Sequence, residues 1–311
     1  MTHVVPTIAS RIRDRARRDP NGVALREKSL GIWHETTWAQ YLDLVERAAH
    51  GLLALGVRPG DRVATRCENR PEWLVADAAA VAARAVSAGL DPGARVLIAE
   101  DQEQVDKALA ERRRLPDLEW IVYLEPRGVR EYAEPSLVWW PDLLASGEGH
   151  RAGHPRLLDD LAEEVRDHDP VTPSLTAGEV NDALADGGLH PDPGHGDFVL
   201  CHLPLSQTAS RLSTAWLNAH AGVQLHFGEP SAGLAQTLRE VEPSLFLGTP
   251  VTWQTLRPGV ETPTSRLRAR AIRKRLGLRK CRSAVSISPL APELGEWYRR
   301  LGIPVRTVEV A

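Results

Sequence analysis

Cysteine is scarce in this chain: three in 311 residues, at positions 67, 201 and 281. They lie too far apart for a zinc-ligand spacing, and no flanking histidine pattern marks one as a nucleophile, so reduced structural thiols are expected. Long apolar runs are missing as well. The longest candidate, WLVADAAAVAARAVSAGL, carries Asp77 and Arg84 and is rich in alanine rather than leucine, which fits a buried helix better than a membrane span. Nor is there an excess of either charge. The 38 basic and 41 acidic side chains leave −3, which gives no global attraction to nucleic acid. Arg11, Arg13, Arg15, Arg17 and Arg18 crowd the start of the chain without the apolar core of a signal peptide. The cytoplasm is therefore the expected compartment, with the membrane periphery as the alternative.

What is present is an ordinary globular composition, 42% hydrophobic and 25% charged, in a chain long enough for two domains or one large α/β domain. Ile8, Ile12 and Ala16 recur at four-residue steps and predict an amphipathic helix that stops at Asp19-Pro20-Asn21-Gly22. VALRE and IWHETTW read as a hairpin. Thr37 predicts an N-cap for a helix from Trp38 to about Leu55, closed by Gly56. RVATRCE reads as a strand, followed by a helix with Pro71 in its first turn. Strands are also expected at WIVYL, FVLCHLPL and SLFLGTP, with polar helix and loop over 142–170.

One connection resists this parallel pattern. RAVSAGL and ARVLIAE both read as strands, yet only Asp91-Pro92-Gly93 separates them, whereas a parallel crossover takes a dozen or more residues. An antiparallel hairpin is expected there, or else one of the two segments lies outside the sheet.

Six stretches, ALREKSLGIWHETTWAQY, GLLALGVRPGDRVATRCENRPEWLVAD, ARVLIAEDQEQVDKAL, LPLSQTASRL, PSLFLGTPVTW and LAPELGEWYRRLGIPV, resemble in their order the large N-terminal domain of AMP-forming long-chain acyl-CoA synthetases, of the adenylate-forming superfamily. The resemblance implies an α/β fold with depleted parallel and mixed sheets flanked by helices and with the C-terminal domain absent. It divides the chain into a first subdomain, 1–169, lacking the crossover helix at 91–93, and a second, 170–311, ending before the magnesium-binding motif. Family enzymes join a fatty acid to AMP using ATP and magnesium, then pass the acyl group to coenzyme A.

Their pyrophosphate cradle is a loop similar to YTSGTTGxPKG, in which backbone N–H groups, hydroxyls and a lysine hold phosphates. Its expected place is just before AGEVNDAL. That place holds Pro170-Val171-Thr172-Pro173-Ser174-Leu175-Thr176, with no lysine and no glycine before Gly178. At the other end, Glu309 comes too early by spacing to match the family's magnesium glutamate. No catalytic residue, metal or cofactor is therefore assigned to the chain alone, although the family uses ATP, magnesium and coenzyme A.

The resemblance leaves remnant sites. LPLSQTASR stands where the family usually has LPLSHxxER, so Gln207 replaces a substrate-side histidine; it can hydrogen-bond but cannot titrate. The plain alternative is a loop residue after a strand. Gly248, Thr249 and Pro250 match a strand end near the acyl pocket, or equally a turn with no ligand. Ser288 and Pro289 lie in a shortened form of the adenine-side segment, where a structural role is the simpler reading. His150 and His154 are four apart, but Gly149, Gly153 and Pro155 argue against a regular helix there, and no metal is expected. His190, His195 and His202 are expected to be solvated.

From Arg266 to Arg282 nine residues are basic and none acidic. Leu267, Ala271, Ile272 and Leu276 are read as its apolar face, either packed on the domain or facing an anionic membrane or acidic partner; no nucleic-acid binding is expected. Three functions follow: a pseudoenzyme that binds acyl chains or partners an intact synthetase, a decayed synthetase with no selected function, and an enzyme completed by another chain. The last is weakest, because a second chain cannot easily replace a loop lost from mid-domain.

Overall fold

The computed structural model describes residues 5–185, 190–229, 232–257 and 263–308. The chain divides into two compact units, Met1–Gly22 with Thr37–Asp182, and Val23–Thr36 with Ala183–Ala311. The segment that interrupts the first unit is the expected hairpin, β1 (Val23–Ser29) and β2 (Ile32–Thr37). Leu30 and Gly31 turn it with φ of 49° and 80°, the pair of left-handed residues that matches a two-residue turn to strand twist. Among the described residues no helix is long and apolar enough to cross a membrane.

In the first unit, Thr7 caps the helix Ile8–Arg18 in a reciprocal pair with Ser10, and Ile8, Ile12 and Ala16 are its buried positions. Thr37 and Gln40 form the same box at the helix Trp38–Ala54, and Pro71 opens the helix Pro71–Ala82. The sheet is β4 (Val86–Ala88), β3 (Arg62–Arg66), β5 (Ala94–Ala99), β6 (Trp120–Tyr123) and β7 (Leu137–Trp139), in that spatial order and parallel throughout.

The expectation for Asp91-Pro92-Gly93 is overturned. β4 and β5 are neither an antiparallel hairpin nor missing from the sheet. They flank β3 on opposite sides, each parallel to it. Ala88 registers with Ala64 and Ala94 with Arg62, so the chain must step back two residues and sideways two strand spacings, roughly 12 Å in all. Six peptide steps reach about 20 Å. The connection closes because β4 is short and the strands are not neighbours. Leu90 packs against the buried cluster that contains Ala64 and Leu97 of the sheet and Val105 of the helix Gln102–Ala110.

A second correction concerns the segment around His150, where no regular helix was expected. The helix Trp140–Gly153 runs regularly through Gly149 and contains His150. Its glycines serve packing. A Cβ on Gly147 meets the Arg47 carbonyl oxygen at 1.8 Å, and one on Gly51 meets that of Leu143 at 2.5 Å, so both glycines allow close approach of two helix backbones. That approach brings His50 Nδ1 to 2.9 Å from His150 Nδ1. A hairpin, β8 (Pro170–Thr172) and β9 (Leu175–Thr176), precedes the helix Ala177–Ala185.

In the second unit, β10 (Phe198–Leu200), β11 (Gln224–Phe227), β12 (Leu245–Gly248), β13 (Ser283–Ser286) and β14 (Val305–Thr307) join the first hairpin in the order β14-β13-β12-β10-β11-β1-β2. All pairs among β10 to β14, and β1 with β11, are parallel. One face buries an aromatic chain: Phe246, Trp253, Tyr298 and Trp297 meet edge to face at 4.8–5.1 Å, a favoured quadrupole arrangement. The Tyr298 hydroxyl donates to the Trp253 carbonyl at 2.7 Å.

The apolar face expected for the basic segment is also corrected. In the helix Arg266–Arg275, Leu267 is 82% exposed and Ala271 is exposed. Ala269, Ile272 and Leu276, spaced by three and four, are the residues that pack on the core. Glu309 lies outside the described residues.

Candidate functional site

Parallel strands place their carboxyl ends on one edge of a sheet, the usual position for ligands in α/β folds. In the second unit that edge gathers the residues following β10, β12 and β13, and with them each remnant position. Just inside it, Leu203, Leu247 and Val285 form a small buried apolar cluster with Ile287 and Val308 packed against it.

Gly248 ends β12 and is buried. A Cβ there meets Trp253 Nε1 at 2.9 Å and Thr252 Cβ at 3.2 Å, so glycine is required by the tryptophan whose indole N–H donates to the Val285 carbonyl at 3.2 Å. Thr249 is the N-cap of the helix Pro250–Leu256 and exchanges hydrogen bonds with Thr252 at 3.1 and 3.2 Å. Pro250 takes the first helical position, where its missing N–H costs nothing. Packing of Trp253 against Gly248 and helix initiation by Thr249 and Pro250 thus account for all three residues without a ligand.

Gln207 is exposed and precedes the short helix Thr208–Arg211 as its N-cap, with no side-chain bond to it. Ser288 and Pro289 are exposed, and the Ser288 carbonyl accepts from the Ser286 hydroxyl at 2.6 Å. The backbone brings these positions to one edge; their side chains do not form one cluster. The helix after Gln207 passes into a π-helical turn at Leu212–Trp216. There Ser213 and Thr214 bond back to the carbonyls of Ala209 and Ser210, a pairing that loosens regular helix.

Two histidines expected to be solvated are packed. His190 is fully buried and its Nδ1 lies 2.9 Å from the Ser283 hydroxyl. His202 stacks on Phe246 at 5.0 Å, its Nδ1 donating to the Leu200 carbonyl at 3.2 Å. Its Nε2 has no hydrogen-bond partner among the described residues, and burial pushes its pKa down to about 4. His202 is therefore neutral at pH 7, a packed ring just beyond β10 rather than the solvated one expected. The signal available in the sequence was its place within the apolar run FVLCHLPL. His195 is exposed.

In the first unit, the place of the expected phosphate loop is taken by the hairpin β8–β9, which satisfies itself. Thr172 Oγ1 accepts from the backbone N–H groups of Ser174 and Leu175, at 3.3 and 3.0 Å. Thr176 and Glu179 form a capping box at 2.8 and 3.3 Å. The amides of Ser174, Leu175, Thr176 and Glu179 are thus engaged locally, and no cationic side chain lies between Asp167 and Leu184 other than His168. Among the described residues no group of three metal-ligating side chains is assembled.

Comparison with known proteins agrees with this architecture. The family model described as AMP-binding enzyme matches residues 12–112. The long-chain-fatty-acid–CoA ligase ACSBG2 of Xenopus laevis is 24% identical over 91% of this chain and 48% of its own length. The ligase ACSBG1 of Homo sapiens is 26% identical over 75% of this chain and 36% of its own. The chain thus spans half or less of the length of these relatives. Among solved structures, the N-terminal domain of FACL13 from Mycobacterium tuberculosis matches 98% of this chain and 76% of that chain with a TM-score of 0.68 and 20% identity. Acetoacetyl-CoA synthetase from Streptomyces lividans matches 97% of this chain and 51% of that chain with a TM-score of 0.72 and 21% identity. The chain is a relative of the long-chain acyl-CoA synthetases and has the N-terminal-domain fold of adenylate-forming enzymes.

Proposed function

We propose, from this kinship, that the chain serves fatty-acid metabolism without adenylating a carboxylate itself, by holding an acyl chain or an intact synthetase. The observation that carries the proposal is the self-satisfied hairpin β8–β9. Adenylation needs donors aimed at the departing pyrophosphate, and removal of one such donor costs about 2.7–4 kcal/mol of barrier, or roughly 10²–10³ in rate. Here the hydroxyl of Thr172 and the caps of Thr176 and Glu179 are spent within the hairpin, and no lysine stands in it.

Acyl binding makes no such demand. It draws on apolar burial, about 25 cal/mol per Å², and the cluster of Leu203, Leu247 and Val285 at the strand ends supports it. Exchange of labelled pyrophosphate into ATP in the presence of palmitate tests the first half: no rate above a protein-free control is expected, and a clear one overturns the proposal. Titration with a fluorescent fatty acid and with ATP tests the second. Saturable fatty-acid binding without ATP binding is expected; tight ATP binding alone reverses it.

A further inference from the structure

The basic segment 266–282 does not use all of its charge in folding. Arg282 is paired with Asp197, and Arg273 donates to the carbonyls of Leu278, Arg279 and Cys281. Beside them lies a cleft of about 660 Å³ in the second unit, lined by the side of the helix Arg266–Arg275 and the end of the helix Pro292–Arg300. Six arginines line it: Arg266, Arg270, Arg273, Arg279, Arg299 and Arg300. No carboxylate does.

Just outside the lining, Glu242 holds Arg279 through two oxygens and Glu296 is shared by Arg299 and Arg300. Six guanidinium groups thus have two carboxylates between them. The guanidinium groups of Arg266 and Arg270 have no hydrogen bond or ion pair among the described residues, though their backbones belong to the helix. Arg266 also stands in the first turn of its helix, which has no acidic residue, although the positive end of a helix dipole disfavours a cation. Crowded like charge in a concave wall is unfavourable unless an anion is present.

We propose that this cleft binds a phosphate-dense anion, supplied either as a free polyphosphate or as a multiply phosphorylated lipid headgroup. Guanidinium groups match phosphate oxygens in forked pairs, and the space exceeds what one small ion fills. The same helix carries an exposed apolar side chain, Leu267, 82% exposed, available to an acyl region if the source is a lipid.

The test uses the full chain and two probes at low salt: inorganic tripolyphosphate by calorimetry, and phosphatidylcholine vesicles carrying a bisphosphorylated phosphoinositide, compared with phosphatidylserine vesicles of matched charge. The variant Arg266→Gln/Arg270→Gln alters the cleft; Arg268→Gln/Arg275→Gln removes the same charge from the other flank of the helix. The cleft pair is expected to weaken binding at least tenfold and the flank pair less than threefold, with unchanged thermal melts. Cleft-dependent binding of tripolyphosphate identifies a free polyphosphate; cleft-dependent capture by phosphoinositide vesicles alone identifies a headgroup. Equal losses in both pairs, equal capture by phosphatidylserine vesicles, or binding of neither probe overturns the proposal.

Discussion

Val86 and Ala94 register against the same residue, Arg62, from opposite edges of β3. This explains how two parallel strands follow one another with so little chain between them. The intervening turn is held by Asp91, which accepts from the Gly93 N–H at 2.9 Å and pairs with Arg62 at 2.6 Å. Arg62 and Asp91 are both partly exposed, so the ion pair is screened by water and its share is small. Asp91→Ala is expected to cost about 0.5–1.5 kcal/mol in denaturant unfolding. A loss above about 3 kcal/mol would mean that the crossing depends on this one residue rather than on Leu90 and the strand pairing.

Gly248→Ala introduces a Cβ at 2.9 Å from the indole nitrogen of Trp253, in a wall where Trp253 and Phe246 are fully buried. Overpacking of this kind costs about 1–3 kcal/mol. A thermal melt that does not move would remove the packing account of this glycine and return it to the acyl pocket.

Acid is expected to destabilise the second unit. Burial, then Arg306 and Arg282, holds His190 at about 3; burial, then Arg26 and Lys280, holds His226 at about 3. Both folded values are below the unfolded value of about 6.5, so the unfolded chain takes up protons first. Stability from these neutral rings is complete above about pH 6.5 and is lost as pH falls toward 3, at about 1.4 kcal/mol per pH unit for each ring. His190→Asn should lower the slope of stability against pH by about that amount between pH 6 and 4. An unchanged slope would show that His190 is not a neutral buried ring.

Thiol reactivity offers a further check. Cys201 and Cys281 are buried and Cys67 is partly so, and burial pushes Cys281 up to about 12 and the other two thiols up as well. Because the thiolate is the reactive form, native protein at pH 8 should react slowly with a disulfide reagent, and three equivalents should appear quickly in denaturant. A fast equivalent in the native state would identify an open site at Cys67.

Local chemistry was legible from the sequence wherever neighbours along the chain decide the outcome. Thr37 and Pro71 start helices, VALRE and IWHETTW form a hairpin, and Ile8, Ile12 and Ala16 face inward, because capping, turn conformation and periodicity are properties of residues close to one another in the chain. That neither glycine nor lysine stands between Pro170 and Thr176 was legible for the same reason: a residue type is either in the segment or not. Tertiary structure decided the rest. Whether β4 and β5 are neighbours depends on β3 lying between them, Gly147 proved to be a helix contact because of Gly51 on another helix, and His190 became buried because Ser283, far along the chain, lies against it. The arginine cleft likewise needed Arg299 and Arg300 brought beside Arg266 and Arg270. Each of these depends on contacts between residues distant in sequence, and such contacts are fixed by packing, which no local pattern encodes.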